Sequence, residues 1–192
     1  MNESAAHERL TPPHSPPMAA SDEATAEQLD LARAQGESYV QAFEHMAGEV
    51  ANGGGTAHAG DYIVGYAHEE AEGMYRREGG ELVWQEPDGN IHIEVSVRDA
   101  GDNRFVPGLD VTLTLLDSDG SEVGTERMPF LWHPWLYHYG RNWTIPGDGT
   151  YTLRVRVAPP EFMRHDEKNG KRYADEVVVE FPGVELETGV ED

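Results

Sequence analysis

From Asp61 onward the chain is cut into short apolar or alternating runs by turn-forming residues, and this rhythm limits its folds more than any other feature. The runs cover residues 62–66, 82–84, 91–97, 111–116, 151–157 and 176–181. Between them lie Pro87-Asp88-Gly89-Asn90, Asp117-Ser118-Asp119-Gly120, Pro146-Gly147-Asp148-Gly149 and Asn169-Gly170. Such clusters reverse the chain, because Gly adopts positive φ freely while Asn and Asp bond their own backbone. Strands at this spacing, with no helical period between them, predict an all-β fold, an antiparallel β-sandwich over residues 61–183.

The residues ahead of the sandwich have a different texture. Residues 1–22 carry Pro12, Pro13, Pro16 and Pro17 among Ser, Ala and His, and read as a disordered arm in which His7 and His14 are incidental. Residues 23–52 read as an added N-terminal amphipathic helix. Thr25 with Gln28 forms a capping box, and Leu29, Ala32, Gly36, Tyr39, Phe43, Met46 and Val50 recur at threes and fours. Asn52-Gly53-Gly54-Gly55 stops it. A stripe of this kind docks on a core or pairs with a second copy, so His45 and Met46 read as structural or surface residues, not ligands. Residues 184–192 form an acidic tail expected to fray.

Composition closes off several function classes. With no cysteine, thiolate metal sites, iron–sulfur clusters, disulfides and thiol nucleophiles are excluded. The formal charge of -22, from 36 acidic and 14 basic residues, repels nucleic acid and anionic lipid. Lysine is confined to Lys168 and Lys171, which with the acid excess predicts a protein adapted to high salt. No apolar run is long enough to insert this chain into a membrane. Residues 1–20 lack the regions of an intact secretory signal. The expected location is extracytoplasmic, at a cell surface or periplasm, if a signal has been removed, and cytoplasmic otherwise.

Chemistry-bearing residues gather in three segments. The stretch Met128-Pro129-Phe130-Leu131-Trp132-His133-Pro134-Trp135-Leu136-Tyr137-His138-Tyr139-Gly140-Arg141-Asn142 is dense in aromatic and imidazole groups. Upstream, His92 and Glu94 stand two apart on a strand and share a face, while Ile91, Ile93 and Val95 pack the core from the other. Downstream is Arg164-His165-Asp166. Singly, each histidine reads as a solvated or backbone-bonded side chain and Met128 as core. Together, imidazole, carboxylate and thioether suit copper, or iron with more oxygen ligands, with zinc the generic competitor. There is no Gly-x-Ser-x-Gly elbow, His-Glu-x-x-His helix or phosphate loop, so no enzyme activity is expected. The rival reading is a non-catalytic module that binds a ligand or protein through Trp132, Trp135, Tyr137 and Tyr139 in the loop around 130–139.

The ordered set His92-Ile93-Glu94, Met128-Pro129-Phe130, His138-Tyr139-Gly140-Arg141-Asn142, Pro146-Gly147-Asp148-Gly149-Thr150-Tyr151, Pro159-Pro160 and Arg164-His165-Asp166-Glu167-Lys168 resembles the periplasmic high-affinity iron-transport family. These are Ig-like copper- and iron-binding proteins of iron uptake. The resemblance implies an Ig-like sandwich, iron and/or copper as the bound ion, and His92, Glu94, His138 and His165 as metal-site residues. It also implies a homodimer and delivery of iron to a membrane permease. The family's second methionine, a copper ligand, falls on Phe130 here, which leaves Met128 or His133 to take that position, or leaves it empty.

Overall fold

The computed structural model describes residues 16–191; residues 1–15 of the expected arm lie outside the described residues. The first element is α1 (Ala26–His45), opened by the Thr25–Gln28 capping box, and one π-helical turn (Met46–Val50) continues it. Eleven strands follow: β1 (Gly53–Ala59), β2 (Tyr62–Glu69), β3 (Met74–Glu78), β4 (Glu81–Gln85), β5 (Ile91–Asp99), β6 (Val111–Leu116), β7 (Glu122–Met128), β8 (Phe130–Leu131), β9 (His138–Trp143), β10 (Gly149–Val157) and β11 (Val177–Leu186).

Two antiparallel sheets face one another, in the orders β1-β2-β5-β9-β8 and β11-β10-β6-β7, while β3 and β4 form a separate hairpin. This is the expected Ig-like sandwich with an added helix. Its core is the alternate residues of each inner face: Val64, Ile91, Ile93, Val95 and Val97 meet Leu113, Leu115, Leu153, Val155 and Val179. Among the described residues no helix is long and apolar enough to cross a membrane.

The helix has a definite place. It lies on the outer face of the five-stranded sheet, where Phe43 and Met46 pack with Ala67 of β2 and Leu136 of the aromatic loop. Two glycines allow this approach. A Cβ on Gly65 would lie 2.6 Å from the Phe43 ring, and one on Gly36 would lie 1.8 Å from the Asp102 carbonyl oxygen. Val50, expected on the buried stripe, is exposed because the π turn breaks the helical period. The glycines at 53–55 end the helix as expected but also open β1, where Gly54 leaves room for Ala47 against the strand.

At the two ends the chain is tied down. Residues 16–22 lack regular structure but are held by the 166–172 loop. Asn169 bonds both the amide and carbonyl of Ala19, Ser21 donates to Asp166, and Arg172 donates to the Pro16 carbonyl. β11 runs to Leu186, past the boundary expected at 183, and Val190 bridges to Ala71.

Gly36→Ala is therefore expected to destabilise the fold by about 1–3 kcal/mol through overpacking. In an unpacked helix the same change would gain roughly 1 kcal/mol from propensity. Equilibrium urea unfolding decides which sign holds.

Candidate metal centre

The site is set out by strand register. Across β2, β5 and β9 the cross-strand partners run Glu69–His92–Asn142 and Ala67–Glu94–Gly140. His138 precedes Tyr139, the partner of Val95, so its side chain leaves the sheet on the same face as Glu94. Three alternating positions on two central strands thus aim two imidazoles and a carboxylate into one space. Gly140 keeps that space open: a Cβ there would come within 3.0 Å of both His92 Nε2 and His138 Cδ2.

The donor atoms of His92, Glu94 and His138 all lie within 4.8 Å of one another. All three residues are at most 3% exposed. The rings of His92 and His138 meet edge to face, with centroids 6.1 Å apart, and His138 Nε2 is 3.3 Å from Glu94 Oε1. Hydrogen bonds fix both tautomers. His92 Nδ1 contacts Asn142 Oδ1 at 2.9 Å, and the Asn142 amide in turn donates to the Glu72 carbonyl, so the Asn142 oxygen accepts and His92 Nδ1 carries the proton. His138 Nδ1 faces the Leu136 carbonyl at 3.3 Å and carries a proton for the same reason. Both Nε2 lone pairs therefore point inward, and His92 Nε2, His138 Nε2 and Glu94 Oε2 have no hydrogen-bond partner. A single carboxyl proton on Glu94 cannot satisfy both buried imidazole lone pairs, and a cation that displaces it satisfies all three groups together. The residues present fit a metal ion.

Burial sets the resting charges. It pushes the Glu94 carboxyl up to about 8 and the His138 imidazole down to about 3, and it lowers His92 as well. At neutral pH the close Glu94–His138 contact is thus a carboxylic acid beside a neutral imidazole rather than an ion pair. Two further carboxylates stand beside them. Burial raises Glu69, which shares hydrogen bonds with Glu72 and Glu94, and raises Glu72 to about 7.

Of the residues singled out from sequence, His92, Glu94 and His138 come together. His133 stands next to them, its ring centroid 6.2 Å from that of His138 and its buried Nδ1 without a partner. Met128 is in the core between the sheets, on the far side of β5 from Glu94. His165 is 91% exposed and pairs with Glu23 at 3.0 Å, outside the cluster. The aromatic residues divide too. Tyr139 is buried in the core, its hydroxyl donating to the Val106 carbonyl and accepting from the Leu109 amide. Trp132, Trp135 and Tyr137 are exposed. A cavity of about 450 Å³ lies between α1 and the 104–107 segment, but of the four loop aromatics only Tyr137 lines it.

Sequence reasoning did not assign roles to Asn142, Glu69 and Glu72. Asn142 follows His138 by four residues, which on a strand places both on one face; that signal needed β9 to be recognised as a strand.

The fold is shared with solved structures. A copper-bound variant of FetP from uropathogenic Escherichia coli strain F11 superposes with a TM-score of 0.54 at 21% identity, covering 69% of this chain and 95% of that one. Copper-reconstituted P19 from Campylobacter jejuni gives a TM-score of 0.59 at 18% identity, covering 71% and 96%. No curated protein sequence matches the chain. Residues 41–185, which run from before β1 to the penultimate residue of β11 and include the whole His92–Glu94–His138 cluster, match the Fe2+ transport proteins, and the chain belongs to that family.

Proposed function

We propose that the chain is an extracytoplasmic metal carrier of iron uptake that holds an iron or copper ion between His92, Glu94 and His138 and hands iron to a membrane permease. One observation carries this reading: the two Nε2 lone pairs of His92 and His138 converge with the Glu94 carboxyl in one buried space, and neither Nε2 nor Glu94 Oε2 has a hydrogen-bond partner. Two imidazoles and a carboxylate suit copper and divalent ions of intermediate softness. FetP and P19 have been solved with copper bound, which supports the same class of ion here. Asn142 and the Leu136 carbonyl hold the imidazoles in the ligating tautomer, as outer partners of metal-bound histidines do. The homodimer belongs to the same proposal, with His165 exposed at the surface where a second copy can reach it. Capture and release are the whole of the proposed task.

Calorimetric titration of the full chain with Fe(II), Cu(I), Cu(II), Mn(II) and Zn(II) tests it. Iron or copper is expected to bind on the outer face of the five-stranded sheet, beneath the helix, and to release protons. Glu94 holds its proton up to a pH of about 8 and must lose it to ligate, whereas His138 and His92 are already neutral. Affinity should therefore rise with pH until about 8, and then level off. A chain that takes up none of these ions would overturn the proposal.

A further inference from the structure

The helix that covers the metal centre brings a sulfur atom with it. Among the described residues two methionines are buried, Met46 and Met128, and Met128 faces away into the sandwich core. Met46 is 2% exposed and clusters with Phe43, Ala67 and Leu136. Each of these neighbours is tied to the metal centre. Ala67 is the cross-strand partner of Glu94, and Leu136 supplies the carbonyl that His138 Nδ1 faces. Phe43 sits over Gly65, the partner of Ser96 one row along. The helix therefore steps along β5 as it descends, with Tyr39 bonded to Ser96 and Met46 arriving at the row of Glu94.

Local backbone marks the same residue. Met46 is where α-helix passes into π turn: its amide is shared between the Ala42 and Phe43 carbonyls, and its own carbonyl accepts from Ala51 at 2.8 Å. A π turn costs regular hydrogen bonding, and such turns collect at functional sites. From sequence Met46, one member of an apolar stripe, reads as a structural residue and not a ligand, and its burial and backbone reverse that reading.

Resting on the proposed metal reading, we infer that Met46 is a thioether ligand, delivered by the N-terminal helix to the ion held by His92, Glu94 and His138. Three donors leave a four-coordinate ion one ligand short, and the unbranched side chain of methionine adapts to fill that gap. A thioether added to two imidazoles favours Cu(I) over harder divalent ions. The cover of the site is then also what sets its choice of metal.

Met46→Leu keeps the volume and removes the sulfur. In the full chain, Cu(I) affinity is expected to fall at least tenfold with Mn(II) and Zn(II) affinity unchanged, and X-ray absorption of the copper-loaded parent should show a sulfur neighbour that the variant lacks. No sulfur beside copper in the parent, a sulfur that persists in the variant, or an equal loss for all three ions would each overturn the inference. None of these results would touch the wider metal reading, which fails only if no ion binds or if His92 and His138 prove dispensable.

Discussion

Replacing His138 by alanine is expected to lower affinity for the preferred ion by more than about a hundredfold while leaving the sandwich folded. Loss of an outer partner of a metal ligand alone costs about 10–100-fold, and in the proposed site His138 supplies a donor atom itself. The fold should survive because His138 stands on the outer face of the sheet, away from the core of Ile93, Val95, Leu113 and Val155. In thermal unfolding the contrast is direct. An ion at about a hundred times its dissociation constant stabilises the parent by roughly 2.7 kcal/mol; that rise should vanish in His138→Ala and in His92→Ala. A variant that keeps the full rise would remove its histidine from the ligand set. In the absence of metal His138→Ala should gain a little acid tolerance. The imidazole is depressed to about 3, so its neutral form stabilises the fold above the unfolded value of about 6.5, and that contribution is lost as pH falls towards 3.

The largest loss of stability is expected from Arg172→Ala. Arg172 and Asp99 form a buried bidentate pair, Nε to Oδ2 at 2.7 Å and Nη2 to Oδ1 at 3.0 Å. Their side chains are 8% and 2% exposed. Arg172 also donates to the Pro16 carbonyl, and the Tyr173 hydroxyl donates to Asp99. This knot pins the N-terminal segment, the 164–173 loop and the end of β5 together, and holds Tyr173 at φ 60°, a left-handed conformation that side chains adopt at a cost. Removing one partner of a buried pair strands the other charge, for about 3–5 kcal/mol. In a chain of this length that corresponds to a fall in Tm of roughly 6–20 °C. Combining Arg172→Met with Asp99→Asn should recover part of the loss, because no uncompensated charge then stays buried. A change below about 1 kcal/mol in the single variant would show that the pair is solvated.

The sandwich was legible because its strands alternate or run apolar between strong turns, and each run expected from sequence falls on a strand to within one residue. β9 was not, for a physical reason. It is covered on both faces, so His138-Tyr139-Gly140-Arg141-Asn142-Trp143 shows no division into wet and dry sides. β1 hid behind its glycines, which look like punctuation but serve close approach. The spacing of His92 and Glu94 gave their shared face. It could not give their burial, which depends on a helix some fifty residues earlier crossing that face. Met128 and His165 show the converse, since plausible ligand types in plausible segments are carried elsewhere by register and exposure.

The centre's donors and its cover belong to different parts of the molecule, and this separates how tightly an ion is held from how fast it moves. His92, Glu94 and His138 stand on β5 and β9, interior strands of their sheet, where backbone ladders open only with the protein as a whole. Above them are α1 and the 132–137 loop, joined by the bond from the Tyr39 hydroxyl to the Tyr137 carbonyl and by Trp135 lying beside His45. Transit of an ion requires only that this joint part. In the proposed carrier, residence time is thus set by the helix and the loop, and the speed of release can change without altering the atoms that do the holding.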